Sequence, residues 1–159
     1  MDDAVIARAL HVLAIVVWIG GVAMVTTVVL PAARRAKTPA EGLALLSAIE
    51  RRFAGQARLA TFVAGLSGLY MIWRYDLWER FAVAQYWWMH AMVGVWLIFT
   101  AMLFIIEPLF LERWTERRAA AAPAATLAWV ERFHWLLLAL SLVTVLGAVA
   151  GSHGLSFAG

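Results

Sequence analysis

Three of the chain's four histidines, His11, His90 and His153, each lie near one end of a long apolar segment. An imidazole in hydrocarbon is costly, and it is usually kept because it serves a ligand, a metal ion or a proton. Imidazole nitrogens are common axial ligands of haem iron and also bind copper. The chain has no cysteine, which excludes disulfides, cysteine-bound iron–sulfur clusters and covalent c-type haem. A haem would therefore be held non-covalently.

The composition indicates an integral membrane protein. Of the 159 residues, 64% are hydrophobic and only 14% are charged, more apolar surface than a soluble domain of this size can bury. A membrane span needs roughly 20 apolar residues, and spans are predicted at about 5–31, 56–74, 82–108 and 130–152. We therefore predict an all-α fold, an integral membrane four-helix up-down-up-down bundle that forms a single transmembrane domain over residues 1–159.

The distribution of basic residues predicts the orientation. Six lie between the first and second spans or at their adjoining ends, and four lie between the third and fourth spans or at their adjoining ends, whereas the other side has only Arg8, Arg74 and Arg80. The positive-inside rule then places both basic loops in the cytoplasm and both termini in the periplasm, with the chain in a bacterial inner membrane. Because these charges flank spans and form no separate patch, nucleic-acid binding is not expected.

This topology places the three histidines at one face of the membrane. Spans 1 and 3 run in the same direction and carry His11 and His90 in their first turns, and His153 ends span 4. We predict a haem b with His11 and His90 as axial ligands and His153 as an alternative ligand. Three neighbours complete the predicted cofactor site. Arg8, one turn from His11, would meet a propionate. Trp18 would pack on the haem ring, with core packing as its alternative, and Gly94, one turn from His90, would allow close approach of the haem, with helix packing as its alternative.

The two halves of the chain show near-constant offsets that indicate two duplicated helical hairpins. His11 and His90 are 79 residues apart, the Arg-Phe pairs at residues 52–53 and 132–133 are 80 apart, and Pro31 and Pro108 are 77 apart. Duplicated hairpins would be related by an axis along the membrane normal. That symmetry would put the two histidines at matching depth.

Copper is the alternative ligand. Met71, Met89 and Met92 lie on the same side as the three histidines, and thioether with imidazole suits Cu(I). On the opposite side, His134 and Glu107 are interpreted as interface residues, with proton handling as the second interpretation of Glu107.

Short motifs in three of the spans are shared with a known family. Ala9-Leu10-His11-Val12-Leu13, Trp18-Ile19-Gly20-Gly21, residues 65–70 (Gly-Leu-Ser-Gly-Leu-Tyr) and Trp88-Met89-His90 followed by Gly94 resemble CopD-like membrane proteins. The layout is also similar to the HemJ-type protoporphyrinogen oxidases, although Met92 stands where that group has a lysine. The resemblance implies a four-helix bundle that binds haem b in some members and is linked to copper in others.

The expected function is that of a membrane b-type cytochrome that transfers electrons near the periplasmic face. Two histidine ligands leave no open position on the iron, which favours electron transfer over oxygen chemistry. A quinone or a periplasmic redox protein would be the partner, beside membrane lipid, and a homodimer is compatible with a bundle of this size. Periplasmic-side copper binding or copper transport of the CopD type is the alternative, and whether the chain is a haem-dependent oxidoreductase stays open.

Overall fold

The computed structural model describes residues 3–154, except for the side chains of residues 110–116. Across the described residues the chain is helical, with no strand. Helix α1 covers Asp3–Arg34, α2 covers Pro39–Arg74, and α4 covers Pro123–Ser152. Helix α3 runs unbroken through Trp87–Ala101, Met102–Leu111 and Glu112–Ala121. Two short 3₁₀-helices, Trp78–Ala82 and Ala84–Tyr86, connect α2 to α3.

Helix α2 begins at a capping motif, Thr38-Pro39-Ala40-Glu41. The Thr38 hydroxyl accepts a hydrogen bond from the Glu41 amide at 3.2 Å, and Pro39 occupies the first turn, where its missing N–H costs nothing. From there the helix continues for 36 residues, about 54 Å at 1.5 Å per residue. The amphipathic segment after Pro39 and the predicted span at 56–74 are thus one helix.

The long helices pack side by side and antiparallel along the chain. Helix α1 packs on α2, α2 on α3, α3 on α4, and α4 on both α1 and α2. The first turn of α1 meets the last turns of α2, because the Tyr70 hydroxyl donates to Asp3 at 2.7 Å and Arg74 lies 3.7 Å from the same carboxylate. We call this the terminus end, and the opposite end, where Arg34 pairs with Glu131, the basic end.

Three tryptophans of α3 pack against glycines of the neighbouring helices. Trp96 lies against Gly65 of α2 and donates its indole N–H to the Thr61 carbonyl at 2.9 Å. Trp87 and Trp88 lie against glycines of α4, Gly147 and Gly151. A side chain at any of these glycines would collide with the indole, so small residues here allow close helix approach. Trp87 and Trp88 thus contact α4 directly.

Both helices with an internal proline loosen into π-helix just before or around it. The π turns are Val25–Val29 in α1, ahead of Pro31, and Met102–Leu111 in α3, around Pro108. Proline lacks an amide hydrogen and its ring clashes with the preceding turn, which favours such widening. The two π segments begin at Val25 and Met102, 77 residues apart, which is the same offset as that of the two prolines.

Three helices are long and apolar enough to cross a membrane: Asp3–Arg34, Ala84–Leu109 and Pro123–Ser152. They correspond to the predicted first, third and fourth spans. The span predicted in α2 is not among them, because its apolar run is short and bounded by Arg58 and Arg74. Large apolar side chains cover much of the outside of the molecule, a surface that lipid can cover and water cannot.

Candidate functional site

His11 is a half-buried residue on the face of α1 that packs against α2. Its Nδ1 lies 2.8 Å from the Ala64 carbonyl and 3.2 Å from the Ser67 hydroxyl. A carbonyl can only accept, so this contact requires the proton on Nδ1. The other ring nitrogen, Nε2, then carries a lone pair. A backbone carbonyl that fixes the tautomer in this way is the usual support of a metal-ligating histidine.

Gly68 provides the room for the His11 ring. A Cβ built on Gly68 would lie 3.1 Å from His11 Cε1 and 3.4 Å from Nδ1, closer than ordinary packing. Two glycines of α2 therefore have different roles. The missing side chain of Gly65 leaves room for the Trp96 indole, and that of Gly68 leaves room for the His11 imidazole.

Arg8 contributes to a cationic pocket beside this histidine. It lines a cavity with Tyr75, Leu77 and Arg80, and the Arg80 guanidinium also lies 5.0 Å from the centre of the Tyr86 ring. Among the residues that the structure describes, no carboxylate pairs with Arg8 or Arg80. Two guanidiniums without a carboxylate make this pocket suited to an anionic group.

The second predicted ligand lies on an open face of α3. His90 is exposed, and its ring contacts the edge of Phe81 with 5.2 Å between centroids. One turn further, a Cβ on Gly94 would meet nothing within 4 Å. Gly94 is therefore not a helix-packing residue in this chain, and the face it shares with His90 has free space beside it. No contact joins His90 to His11 within the described part of the chain.

The remaining predicted ligands lie apart. His153 is exposed at the end of α4 and its Nδ1 lies 2.8 Å from the Val149 carbonyl. Met89 is buried at 3% exposure. Over residues 3–154 no three histidine, aspartate or glutamate residues come close enough to share a metal ion, so His11, His90 and His153 do not surround one point.

Trp18 does not accompany the His11 ring. It is 2% exposed, meets Phe99 edge-on at 4.8 Å, and belongs to the central core with residues of all four long helices. It also lines a second cavity of 160 Å³ toward the basic end. Of the two interpretations of Trp18 from the sequence, core packing is the one that this burial matches.

The second cavity combines aromatic walls with ionisable groups from different helices. His134 Nε2 lies 3.4 Å from Glu50, and its Nδ1 lies 2.9 Å from the Val130 carbonyl. Across the same cavity, Glu107 lies 3.5 Å from the Arg58 guanidinium. His134 and Glu107, interpreted as interface residues from the sequence, therefore each have a partner on α2.

Sequence reasoning missed Glu50 as a site residue. The sequence leaves the segment around Glu50 either on the cytoplasmic surface or leading straight into the second span. Glu50, Ala54 and Ala57 recur at helical spacing, which marks one face of a helix, and the structure buries both alanines. Glu50 faces His134 of α4.

The fold and these contacts define an all-α chain with three helices able to cross a membrane. Comparison with protein-family models, with curated proteins and with solved structures finds no match to this chain.

Proposed function

We propose that the chain is a membrane-embedded haem b protein that transfers electrons, with His11 as the anchored axial ligand. The observation that carries this proposal is the hydrogen bond between His11 Nδ1 and the Ala64 carbonyl, which leaves Nε2 as the ligating nitrogen. Gly68 supports it, because its missing side chain leaves the ring free to lie against α2. Bound haem would supply reversible one-electron chemistry at the terminus end.

His90 is the second ligand in this proposal. The free space beside Gly94 on the His90 face could accept part of a large planar group, and His90 has the exposure needed to turn toward it. Arg8 and Arg80 would bind the propionates. The pocket that both line contains no carboxylate among its lining residues, and Arg8 lies one turn before His11 on α1. What the protein contributes is orientation of the ligand ring, charge neutralisation at the rim and exclusion of water by apolar side chains.

The membrane setting of the proposal is a bundle of four spans, with α2 as the fourth. One face of α2 exposes Leu59, Phe62, Leu66, Leu69 and Trp73, a continuous apolar stripe at helical spacing. This stripe is about 21 Å long and is what a lipid-facing helix presents. With four spans, both basic connections lie on one side, and the positive-inside rule places the His11 end in the periplasm of an inner-membrane protein.

Copper binding of the CopD type is the alternative outcome. It would require methionine sulfurs to reach the histidines, and Met89 is instead buried in the fold. His153 is exposed and is neither of the two proposed haem ligands, so it serves as the control residue.

A visible spectrum of the purified protein tests the proposal. The reduced-minus-oxidised spectrum should show haem b bands, with roughly one haem and no stoichiometric copper per chain. His11→Ala should lose most of the haem, because no other side chain offers an imidazole nitrogen at that position, whereas His153→Ala should keep it. Colourless wild-type protein, copper in place of haem, or equal haem in His11→Ala and wild type would each refute it.

A further inference from the structure

We propose that the cationic pocket at the terminus end binds the phosphate group of an anionic phospholipid when no haem propionate fills it. The pocket is a cavity of 320 Å³ lined by Arg8, Tyr75, Leu77 and Arg80. Arg8 belongs to α1 and Arg80 to the first 3₁₀-helix, so the pocket forms only where these two elements meet. Phosphate binding itself does not depend on the His11 site, whereas the competition with propionate rests on the proposed function.

The charges of the pocket are unbalanced. Two guanidiniums line it, and within the described part of the chain no ion pair joins either of them to a carboxylate. Like charges that share one cavity repel each other, and an anion held between them offsets this repulsion. Arg74 provides the contrast at the same end, because its guanidinium lies 3.7 Å from the Asp3 carboxylate. The pocket therefore calls for an anion from outside the chain.

A ring contact orients Arg80 without using its hydrogen-bond donors. The guanidinium carbon lies 5.0 Å from the centre of the Tyr86 ring, which is a cation–π contact. Such a contact involves no acceptor oxygen, so the N–H groups of Arg80 remain available to a ligand. The planar fork of N–H donors in arginine matches two oxygens of a phosphate, and Tyr75 brings a hydroxyl donor to the same pocket.

The position of the pocket favours a lipid phosphate over an anion in solution. Several aromatic side chains near it in the chain are exposed on the outside of the molecule: Trp73, Tyr75, Trp78 and Trp87. Exposed tryptophan and tyrosine are typical of the level at which phospholipid headgroups lie. Arg8 is exposed as well, so a headgroup can reach the pocket from the surrounding lipid. Leu77 gives the pocket an apolar wall for the glycerol and acyl part of the lipid.

Phosphorus NMR tests the proposal on the full chain in maltoside micelles, which contain no phosphorus. The probes are dihexanoyl phosphatidylglycerol and dihexanoyl phosphatidylcholine, which share their acyl chains and phosphodiester but differ in net charge. The chain is used free of haem, as His11→Ala or, if wild type is colourless, as wild type. After subtraction of the signal from empty micelles, phosphatidylglycerol should bind saturably at about one per chain. It should bind about three- to tenfold more tightly than phosphatidylcholine.

Single substitutions locate the bound phosphate. Arg8→Gln and Arg80→Gln should each weaken phosphatidylglycerol binding about three- to tenfold, because each removes one guanidinium from the pocket. Arg8→Lys should fall between Arg8→Gln and the unsubstituted chain, since lysine keeps the charge but loses the fork of donors. Arg74→Gln is the matched control. It removes the same charge at the same end but outside the pocket, and it should bind as the unsubstituted chain does.

The proposal is overturned if the two lipids bind alike, or if Arg74→Gln loses as much binding as Arg8→Gln and Arg80→Gln. Inorganic phosphate is the third probe. If it displaces the lipid at equal concentration, the pocket is a site for free phosphate and the lipid assignment is wrong.

A comparison with haem-loaded wild type tests the competition separately. Phosphatidylglycerol should bind more weakly to that preparation than to the haem-free chain, because a propionate then occupies the arginines. Equal binding would overturn the competition, and the haem spectrum of each preparation reports on the His11 site by itself.

Discussion

At the scale of single residues, Arg58 shows how a charged side chain inside a largely apolar helix pair is compensated. Its Nε donates to the Leu103 carbonyl at 3.0 Å, and its guanidinium faces Glu107. Leu103 lies in the π turns of α3, where a carbonyl pairs with the amide five residues later. That residue is Pro108, which has no N–H, so Arg58 supplies the donor that the proline lacks.

The relation between Arg58 and Pro108 predicts non-additive stabilities. Arg58→Ala should lower the free energy of unfolding by about 1–2 kcal/mol, because it removes the donor of the Leu103 carbonyl and one ion pair of Glu107. In a Pro108→Ala background the same change should cost less, since residue 108 then offers an amide to the preceding turn. Unfolding in mixed detergent micelles, run as a double-mutant cycle, measures the difference.

A matched control variant makes this cycle specific. Arg74→Ala removes an arginine that pairs with Asp3 at the opposite end, and its cost should be the same with or without Pro108. Equal costs for Arg58→Ala in both backgrounds would show that the guanidinium and the proline act independently.

The residues of the candidate sites differ in how far the sequence predicts them. His11 is conspicuous because it interrupts an apolar run, although its acceptor, a backbone carbonyl 53 residues away, leaves no mark in the sequence. Trp18, on the same side of α1 as His11, has packing on a haem ring and core packing as its two interpretations from the sequence. The structure places it in the core with residues of all four long helices. Glu50 and His134 meet only through tertiary packing.

At the scale of elements, the sequence predicts helix existence better than helix extent. Apolar runs and the Thr38–Pro39 start locate α1, α3, α4 and the beginning of α2. The length of α2 is not predictable from hydrophobicity, because Arg51 and Arg52 resemble a boundary while the helix continues through them. The π turns before Pro31 and around Pro108 follow from the prolines themselves.

Helix α2 also decides the number of spans, and the absence of cysteine allows a direct test. Single cysteines at Lys37, Ala82 and Ala120, all exposed, are unique reporters. If α2 crosses the membrane, a membrane-impermeant maleimide should label Ala82→Cys in cells whose outer membrane alone is opened. It should label Lys37→Cys and Ala120→Cys only after lysis.

Denatured protein should label equally at all three positions, which controls for reactivity. Labelling of Lys37→Cys and Ala82→Cys on the same side would mean that α2 does not cross, and the four-span arrangement would be wrong.

At the scale of the whole molecule, two unlike sites lie toward opposite ends of the helices. The terminus end has an anchored imidazole with two arginines nearby, and the basic end has an aromatic cavity with two ion pairs. The core of Trp18, Phe99, Leu137 and small α2 residues separates them.

The most direct test of the central claim asks whether the imidazole of His11 itself holds the haem. His11→Gly, expressed and purified, should lack the haem b spectrum, and added imidazole with haem should restore it by occupying the vacated space beside Gly68. His153→Gly should need no imidazole. A His11→Gly protein that keeps its haem without imidazole, or that no concentration of imidazole restores while the protein remains folded, would contradict the account.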